Sequence, residues 1–491
     1  MNKLPGGWGN APISAIADLV RGVTYKKADA SAAPVEGYLP IIRATNISRR
    51  LSVDSEMVFV PARYVRPEQR LEVGDIVVAT SSGSASVVGK SARLNQPWEG
   101  GFGAFCTVIR PSPELAPGYL AHLVASPGVR KQWRELAQGT NINNLKSSDL
   151  ANTVVHLPPA EEQGRIVAAI DEQFSRLDAG VAALERARKN LRRMRASVLQ
   201  AAVTGRLAPQ SEDPAAAIRL VKQLHHEAGV HGMRKTAAPA IQYLGSMPDT
   251  WQVVALADMA QSIDYGTSEK AHVEAKGIPI LRMGNLGWGT ITYNDLKFLP
   301  REKLDLRLIL QRGDLLFNRT NSAELVGKTA VFRGYPQDIA FASYLIRVRP
   351  LPSANLEWAN IVLNSAVGRR YVASVRNQQV GQANVNGTKL AATPIPLPSP
   401  EEQSQIIAEC ERLFSMIDML EYATVTTIDR SDRLRSSILS TAFAGDLVAQ
   451  DPSDEPASVL LARIAGQHAT FNSSRSKRIR DRRTPREKVI S

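Results

Sequence analysis

The chain has few cysteines, few aromatic residues and no long hydrophobic run. Its 491 residues include 2 cysteines, Cys106 and Cys410, and 6% of the residues are aromatic. Two cysteines can form neither a disulfide framework nor a zinc site built from CxxC pairs, and such sparse use fits the reducing cytoplasm. The sequence contains no run of about 18 apolar residues and no apolar signal peptide at its start. We therefore expect a cytoplasmic protein that neither spans a membrane nor depends on disulfides.

Sequence motifs of a self-contained enzyme are also missing. The segment nearest to the Pro-Pro-aromatic motif of an amino-methyltransferase, Asn95–Trp98, lacks the first proline. The two GK[ST] sequences, which begin at Gly89 and Gly327, lack the earlier glycine that lets a loop surround phosphates. A pattern at Pro248–Asp249 and Glu274–Lys276 imitates a magnesium-dependent nuclease, but the first half of the chain has no counterpart of it. We predict no catalytic residue, no cofactor and no metal site.

Length and charge indicate a multidomain protein with a polyanionic partner. A chain of 491 residues is expected to form two or more domains, and a hydrophobic content of 44% supports real cores. The 60 basic and 47 acidic residues give a formal net charge of +13. An excess of positive charge favours association with nucleic acid.

An internal repeat organises the chain. Residues 157–207 align without a gap with residues 397–447, and 18 of these 51 aligned positions are identical. Before them, the opening at Trp8 matches that at Trp251, and LEVGDIVVAT matches LQRGDLLFNR. The repeat therefore covers a globular segment followed by a second segment of helical pattern, and this pair occurs twice.

Both copies of the second segment are predicted to be long helices. Each begins after a proline, and Ser399, Pro400 and Glu402 fit the N-cap, N1 and N3 positions of a helix. Some 45 residues would span roughly 65 Å, so a pair of antiparallel spacer helices is favoured over two ordinary amphipathic helices on one core. The apolar positions that would form their contact seam are Ile170, Phe174, Leu177, Val181, Leu184, Ala187, Leu191, Met194 and Val198 in the first, and Ile406, Cys410, Phe414, Ile417, Leu420, Ile428, Leu434 and Ile438 in the second.

The predicted fold class is α+β, with pseudo-two-fold symmetry. The globular segments contain short β-branched runs bounded by turn residues, such as 39–43, 75–79 and 105–110, and helical patterns at 117–137 and 356–376. The predicted boundaries are a first domain at 1–156, a spacer helix at 157–207, a linker with a short helix at 208–245, a second domain at 246–396, a spacer helix at 397–447, and a short helix with a basic, disordered tail at 448–491.

These features resemble the specificity (S) subunit of type I restriction-modification enzymes along nearly the whole chain. The resemblance is carried by LPPAEEQ and LPSPEEQ at the helix starts, the Trp8 and Trp251 openings, and the GDIVVAT and GDLLFNR strands. It implies two target-recognition domains that read the two parts of a bipartite double-stranded DNA site. It also implies that the helices form a coiled coil that holds the domains apart and docks two methyltransferase (M) subunits. Catalysis would belong to those subunits and to a restriction/translocase (R) subunit, if one joins.

Candidate DNA contacts lie in three polar segments of each domain. Guanine is read by Arg or Lys and adenine by Asn or Gln, through paired hydrogen bonds. The candidates in the first domain are Arg43, Thr45, Asn46, Ser81, Ser82, Ser84, Asn141, Asn143, Asn144 and Lys146. Those in the second domain are Arg282, Asn285, Asn318, Arg319, Asn321, Gln378, Gln379, Gln382, Asn384 and Asn386. Any single one could instead be a solvated turn residue, because Asn, Ser and Gly favour turns.

Two other functions remain open at this stage. One is a single-chain DNA methyltransferase or nuclease with duplicated reader domains, which the missing motifs disfavour. The other is a coiled-coil scaffold that does not bind DNA, which the positive charge disfavours.

Overall fold

The structure, a computed structural model, describes residues 5–84, 86–137, 143–230, 241–274, 276–379 and 381–467. The chain divides into two units: unit 1 is Met1–Ala183 with Thr426–Ser491, and unit 2 is Leu184–Val425. Each unit mixes helices with short strands, which confirms the α+β class. Within the described ranges, no helix has both the length and the apolar character that a membrane crossing requires.

Unit 1 contains a central four-stranded sheet and smaller sheets around it. Its strands are β1 (Gly9–Pro12), β2 (Ala17–Arg21), β3 (Tyr38–Ile42), β4 (Val58–Pro61), β5 (Ile76–Ala79), β6 (Ser81–Ser82), β7 (Ser91–Arg93), β8 (Gly101–Phe102), β9 (Cys106–Pro111), β10 (Asn143–Asn144) and β11 (Val154–Leu157). The sheet orders are β2-β9-β5-β7, β4-β3-β8, β1-β11 and β10-β6. Its helices are α1 (Ile13–Ile16), α2 (Tyr119–Ala125), α3 (Pro127–Leu136), α4 (Ser147–Ala151) and the start of α5 (Ala160–Val203), and 3₁₀ turns lie at Lys27–Asp29, Ala44–Asn46, Ala62–Tyr64 and Pro67–Gln69.

Unit 2 repeats this arrangement. After α6 (Ala216–Val230), its strands are β12 (Gln252–Ala255), β13 (Ala260–Tyr265), β14 (Ile278–Leu281), β15 (Lys297–Leu299), β16 (Leu315–Asn318), β17 (Thr320–Asn321), β18 (Thr329–Val331), β19 (Ala340–Phe341), β20 (Leu345–Pro350), β21 (Asn377–Gln379), β22 (Gln382–Asn384) and β23 (Pro394–Leu397). The sheet orders are β13-β20-β16-β18, β15-β14-β19, β12-β23 and β17-β22-β21. The helices are α7 (Leu356–Asn364), α8 (Ala366–Val375), α9 (Gly387–Ala391) and the start of α10 (Pro400–Ala444), with 3₁₀ turns at Ile241–Tyr243, Leu256–Met259, Met283–Asn285, Arg301–Lys303 and Leu306–Leu308.

The central sheet of each unit is covered on both faces. In β5, Ile76 and Val78 join one hydrophobic cluster, whereas Val77 and Ala79 join another. Successive side chains of a strand point to opposite faces, so a strand buried on both sides reads as a continuous apolar run. The predicted strands at 39–43, 75–79 and 105–110 correspond to β3, β5 and β9 within one residue at each end.

Each of the two predicted helical regions consists of two helices. The pattern at 117–137 forms α2 and α3, which are separated at Ser126. The pattern at 356–376 forms α7 and α8, which are separated at Ser365. Both serines have extended backbone angles, and the Ser365 hydroxyl caps α8 by accepting from the N–H of Val367 at 3.2 Å. A serine within an apolar periodic pattern can therefore begin a new helix, because its hydroxyl replaces a lost backbone partner.

The two long helices occur where the repeat predicted them. Helix α5 has 44 residues and α10 has 45. Ser399 is the N-cap, since its hydroxyl accepts from the N–H of Glu402 at 3.2 Å. The carboxylate of Glu402 is not used on the cap and instead accepts from the indole N–H of Trp251 at 2.9 Å. Burial raises the pKa of Glu402, and the Trp251 hydrogen bond partly offsets that rise.

The equivalent tryptophan in unit 1 makes the same contact. The indole of Trp8 donates to the two carboxylate oxygens of Glu162 at 3.0 and 3.1 Å. In each unit the start of the first strand is thus joined to the first turn of a long helix. The residues that make this bond, a tryptophan and a glutamate, are identical in the two copies of the repeat.

Positions near both ends of the predicted seam are buried or half-buried, whereas four of its positions are not. Ala187, Met194, Leu420 and Leu434 are exposed. The less exposed positions next to them carry polar side chains, including Arg188, Glu421 and Arg435. At these places the apolar residue lies one position away from the helix face that is buried. The helical repeat, and not the apolar residue, decides which side chain faces inward.

In each unit, one arginine cluster links the part of α5 in that unit to the part of α10 in that unit. In unit 1, Arg435 donates to Asp178 at 2.6 Å and lies 4.9 Å from the centre of the Phe174 ring. In unit 2, Arg195 donates to Asp418 and lies 4.7 Å from the centre of the Phe414 ring. The three residues of one cluster are related to those of the other by the 240-residue offset of the repeat.

In each unit a glycine lets the backbone pass close to a turn, at residues 103–106 in unit 1 and at residues 342–345 in unit 2. Gly22 follows β2 and Gly266 follows β13. A Cβ atom at Gly22 would collide with the carbonyl group of Gly103, and one at Gly266 with the carbonyl oxygens of Phe341 and Ala342. These are rigid backbone atoms, so a side chain could be accommodated only if a strand moved.

We expect Gly266→Ala to lower the free energy of unfolding by about 1–3 kcal/mol, the usual cost of overpacking. Gly164→Ala is the matched control: it lies in α5 with open space around it, and it should raise stability by roughly 0.5–1 kcal/mol. Urea unfolding of the two variants and the parent measures both effects. Equal stability of the two variants would contradict the close approach.

Candidate nucleic-acid interface

A tight turn at residues 103–106 gathers the polar segments of unit 1. The N–H of Gly103 donates to the carbonyl oxygen of Ile42 at 2.9 Å, directly before Arg43. On the other side, the carbonyl oxygen of Phe105 accepts from the N–H groups of Thr80 at 2.8 Å and Ser81 at 3.2 Å. Two segments that lie some 40 residues apart in sequence therefore meet at this turn.

Unit 2 builds the same turn at residues 342–345. The N–H of Ala342 donates to the carbonyl oxygen of Leu281 at 2.9 Å, directly before Arg282. The carbonyl oxygen of Tyr344 accepts from the N–H of Arg319 at 3.0 Å. The backbone geometry of the turn is thus common to both units, although the side chains differ.

The third polar segment of each unit pairs with the second. In unit 1, β6 pairs with β10, and the Ser81 hydroxyl donates to the Asn144 amide oxygen at 2.6 Å. In unit 2, β17 pairs with β22, and the Asn384 side chain donates to the Thr320 hydroxyl at 2.7 Å. The structure therefore brings the three predicted segments of each unit to one edge.

Arg319 and Asn384 lie side by side at this edge of unit 2. The guanidinium of Arg319 stacks on the Tyr265 ring at 4.7 Å and reaches the Asn384 amide oxygen at 3.5 Å and the Ser343 carbonyl oxygen at 3.4 Å. The hydroxyl of Tyr265 is itself held, because it accepts from the N–H of Gly387 at 2.7 Å. Stacking and hydrogen bonds orient an arginine next to an asparagine, which are the side chains that read guanine and adenine.

Two candidates, Asn46 and Asn285, are buried and hold the fold. The amide oxygen of Asn46 accepts from the N–H of Arg43 at 2.9 Å, and its amide nitrogen donates to the Ser55 carbonyl oxygen at 2.9 Å. Asn285 makes the same bonds to Arg282 at 2.9 Å and to Asn294 at 2.8 Å. We assign these two amides to shaping the loop, because their hydrogen-bonding groups already have internal partners.

Arg43 and Arg282 also contact the loops that their asparagines shape. Each guanidinium donates to a backbone carbonyl oxygen at 2.8 Å, that of Glu56 for Arg43 and that of Asp295 for Arg282. Glu56 and Asp295 both have positive φ values, 55° and 53°. The arginines keep further N–H groups for another acceptor.

Asn318 is a further buried candidate. It is fully buried at the end of β16, and neither of its amide atoms has a hydrogen-bond partner among the described residues. The repeat places Ala79 at the equivalent position.

Several further candidates lie at the surface of the three segments. Lys146 and Asn386 precede short helices, and the Asn386 side chain caps α9 by accepting from the N–H of Lys389 at 2.9 Å. The others are exposed or partly exposed: Thr45, Ser82, Ser84, Asn143, Asn321 and Gln382. Gln378 and Gln379 belong to β21, and Asn141 lies outside the described residues.

Three residues at these edges were missed by the sequence prediction. Phe105 and Tyr344 project from the two turns, and the Arg21 guanidinium donates to the Ser147 hydroxyl at 3.1 Å beside Lys146. The repeat could have found the first two, since aligning TVIRP with IRVRP places Phe105 opposite Tyr344. Nothing in the local sequence marks Arg21. Among the described residues, no group of three or more His, Cys, Asp or Glu side chains is placed to hold a metal ion.

Comparisons with known proteins agree on one family. The family model described as the type I restriction modification DNA specificity domain matches residues 248–424. The specificity subunit of the type I restriction enzyme EcoKI from Escherichia coli strain K12 is 33% identical over 489 residues, which is 97% of this chain and 98% of the relative. The StySPI specificity subunit from Salmonella potsdam is 32% identical over 490 residues, again 97% of this chain and 98% of the relative.

A solved structure has the same fold. It belongs to a study of complex assembly and conformational transition of the type I R-M system, and it covers 91% of this chain and 100% of its own chain with a TM-score of 0.61. The sequences are 20% identical, so this likeness concerns the fold alone.

The division between buried and exposed candidates can be tested by stability. Asn285→Ala removes a buried amide and leaves the N–H of Arg282 and the carbonyl of Asn294 without it, so we expect a loss of roughly 1–3 kcal/mol in the free energy of unfolding. Gln382→Ala, an exposed candidate in the same unit, should change it by less than about 0.5 kcal/mol. Urea unfolding compares the two; a mild effect of Asn285→Ala would return this asparagine to the set of DNA-contact candidates.

Proposed function

The chain belongs to the family of type I restriction-modification DNA specificity subunits, and from this premise we propose that it recognises a bipartite, asymmetric DNA target and directs methyltransferase subunits to it. It is a non-catalytic subunit, like the specificity subunits it resembles. The observation that carries the proposal is the meeting of three polar segments at one turn, which occurs once in each unit. The proposed place of action is the cytoplasm.

In this proposal each domain reads one part of the target. Residues 1–156 form the first reader and residues 246–396 the second. The two turns differ in one side chain that can reach a base: the position that carries Arg319 in unit 2 carries Thr80 in unit 1. Both units also place an asparagine, Asn144 or Asn384, beside a hydroxyl group. Different donors and acceptors select different base edges, so the two halves of the target would differ in sequence.

The long helices would act as an antiparallel spacer between the readers. Support comes from the two arginine clusters: Arg195, late in α5, contacts Asp418 in the first half of α10, and Arg435, late in α10, contacts Asp178 in the first half of α5. Contacts in which the two partners exchange roles are the signature of two-fold symmetry. A helix of about 45 residues spans roughly 65 Å, enough to separate half-sites by about one DNA turn of 34–36 Å.

Exposed apolar residues on these helices support docking of two methyltransferase subunits. Met194 on α5 is 52% exposed and Leu434, its repeat equivalent on α10, is 45% exposed. Helix α10 also exposes Met416, Met419 and Leu420 on neighbouring turns. Apolar groups clustered on a surface mark interaction sites, and an equivalent pair of sites fits two copies of one partner. The relatives are named as subunits of restriction enzymes, so the proposed complex also includes a restriction/translocase subunit.

Methylation mapping tests the proposed function directly. Methylated bases in the genome are mapped in cells with and without this gene, and we expect one bipartite sequence to lose its methylation when the gene is absent. Replacing residues 246–396 with the same domain of a relative should change one half of that sequence and keep the other. If both halves changed, independent reading by two domains would be wrong; methylation by the isolated chain would show that it is an enzyme.

Arg319→Ala should weaken binding to the mapped target by about 1–3 kcal/mol and relax the sequence requirement in one half only, because a bidentate base contact is lost. Arg301→Ala is the charge-matched control, because Arg301 is an exposed arginine in the same unit that forms a 3.9 Å ion pair with Asp338. Affinities of the complex for duplexes altered in either half distinguish the outcomes. An equal loss for every duplex would make Arg319 a phosphate contact instead.

A charge placed on either apolar site should release one partner. We expect Met194→Asp and Leu434→Asp each to reduce the number of bound methyltransferase subunits from two to one, since burying a carboxylate in an apolar contact is costly. The double variant should bind none, and Val273→Asp, at a more exposed position outside any helix, should bind two. Native mass spectrometry counts the subunits; full assembly of the double variant would place the docking surface elsewhere.

A further inference from the structure

The turns at residues 103–106 and 342–345 each present an aromatic ring to solvent. Phe105 is 66% exposed and Tyr344 is 49% exposed, and they occupy equivalent positions in the two turns. Burying an aromatic side chain stabilises a complex, so each exposed ring leaves that stabilisation unused in the isolated chain. The same exposed feature occurs at one position of two domains whose other surface side chains differ.

Backbone hydrogen bonds fix the residues that carry these rings. In each turn the first and last residues are joined by a hydrogen bond of 2.9 Å, from Cys106 N–H to the Gly103 carbonyl oxygen and from Leu345 N–H to the Ala342 carbonyl oxygen. The close passage of Gly22 and Gly266 adds a second support. The point at which each ring is attached is therefore fixed before any partner binds, which lowers the entropy cost of binding.

The backbone of each ring-bearing residue is bonded to a segment whose side chains can read base edges. The carbonyl oxygen of Phe105 is bonded to the backbone of Ser81, whose hydroxyl contacts Asn144. The carbonyl oxygen of Tyr344 is bonded to the backbone of Arg319, which lies beside Asn384. Base pairs offer both hydrogen-bonding edges and flat apolar faces, so a DNA duplex matches this mixture of groups.

Resting on the function proposed above, we propose that Phe105 and Tyr344 each insert between two neighbouring bases of their half-site. Each ring separates the two stacked bases and itself stacks on one of them. Apolar wedges of this kind kink the duplex at the expense of base stacking. Pyrimidine–purine steps unstack most easily. Each half-site would therefore be selected partly by its deformability, in addition to the hydrogen bonds made by its neighbouring polar side chains.

The test uses the full chain in complex with its methyltransferase subunits and duplexes of the mapped target. 2-Aminopurine is placed at successive positions of both half-sites, and its fluorescence rises where a base is unstacked. We expect the parent complex to give one such position in each half-site, apart from the target base that a methyltransferase extrudes. Phe105→Ala should abolish the rise in one half-site and Tyr344→Ala in the other.

Affinity provides a second readout. Each alanine variant should bind the target about 10- to 100-fold more weakly, the usual effect of losing one aromatic–base stack. Tyr344→Phe keeps the ring and should retain both affinity and fluorescence. Tyr335→Ala is the matched control, because Tyr335 is 79% exposed in the same unit but lies in a different loop, and it should behave as the parent.

Two results would overturn the inference in different ways. Alanine variants with parental affinity and unchanged fluorescence would mean that the rings do not enter the duplex, while the assignment as a specificity subunit would stand. A parent complex that bound target and unrelated duplexes equally would overturn the proposed function and, with it, the inference about the rings.

Discussion

The ion pairs of Arg435 with Asp178 and of Arg195 with Asp418 are the constraint on which the rest depends. Each arginine lies at a half-buried position between helices, covers an aromatic ring and meets one carboxylate. The carboxylates of Asp178 and Asp418 remain 41% and 56% exposed, so these pairs act mainly through their geometry rather than through a large electrostatic energy. The pairs therefore specify, within each unit, which turn of one long helix lies beside which turn of the other, where apolar residues alone would permit a slipped register.

The first and last strands of each domain attach the domain to its long helix. In unit 1, Trp8 is bonded to Glu162 while β1 pairs with β11, the strand that leads into α5. Trp251, Glu402, β12 and β23 repeat this arrangement in unit 2. A polar bond and a two-stranded sheet together leave little freedom between a domain and its helix. Each of the turns at residues 103–106 and 342–345 is therefore fixed relative to the helix that begins in the same unit.

Sequence reasoning predicted the framework well and the site only in outline. The offset of 240 residues revealed the long helices, the cap at Ser399 and the strands of the central sheet, because these follow local rules of periodicity and capping. It could not separate Asn46 from Asn144, since both are asparagines in polar segments and only tertiary contacts bury the first. It also misplaced Met194 and Leu434 in the seam, where apolar spacing suggested contact and helix geometry turned them outward.

The turn at 103–106 and its copy at 342–345 are held by main-chain hydrogen bonds. Their support is thus indifferent to the identity of the surrounding side chains, apart from the glycines that pass beside them. If the proposed readers act as described, substitutions at Ser81, Asn144, Arg319 or Asn384 would alter which bases are accepted and leave the backbone of the turns in place. A protein built this way can acquire a new sequence preference in single mutational steps, and each intermediate would still assemble with the same partners.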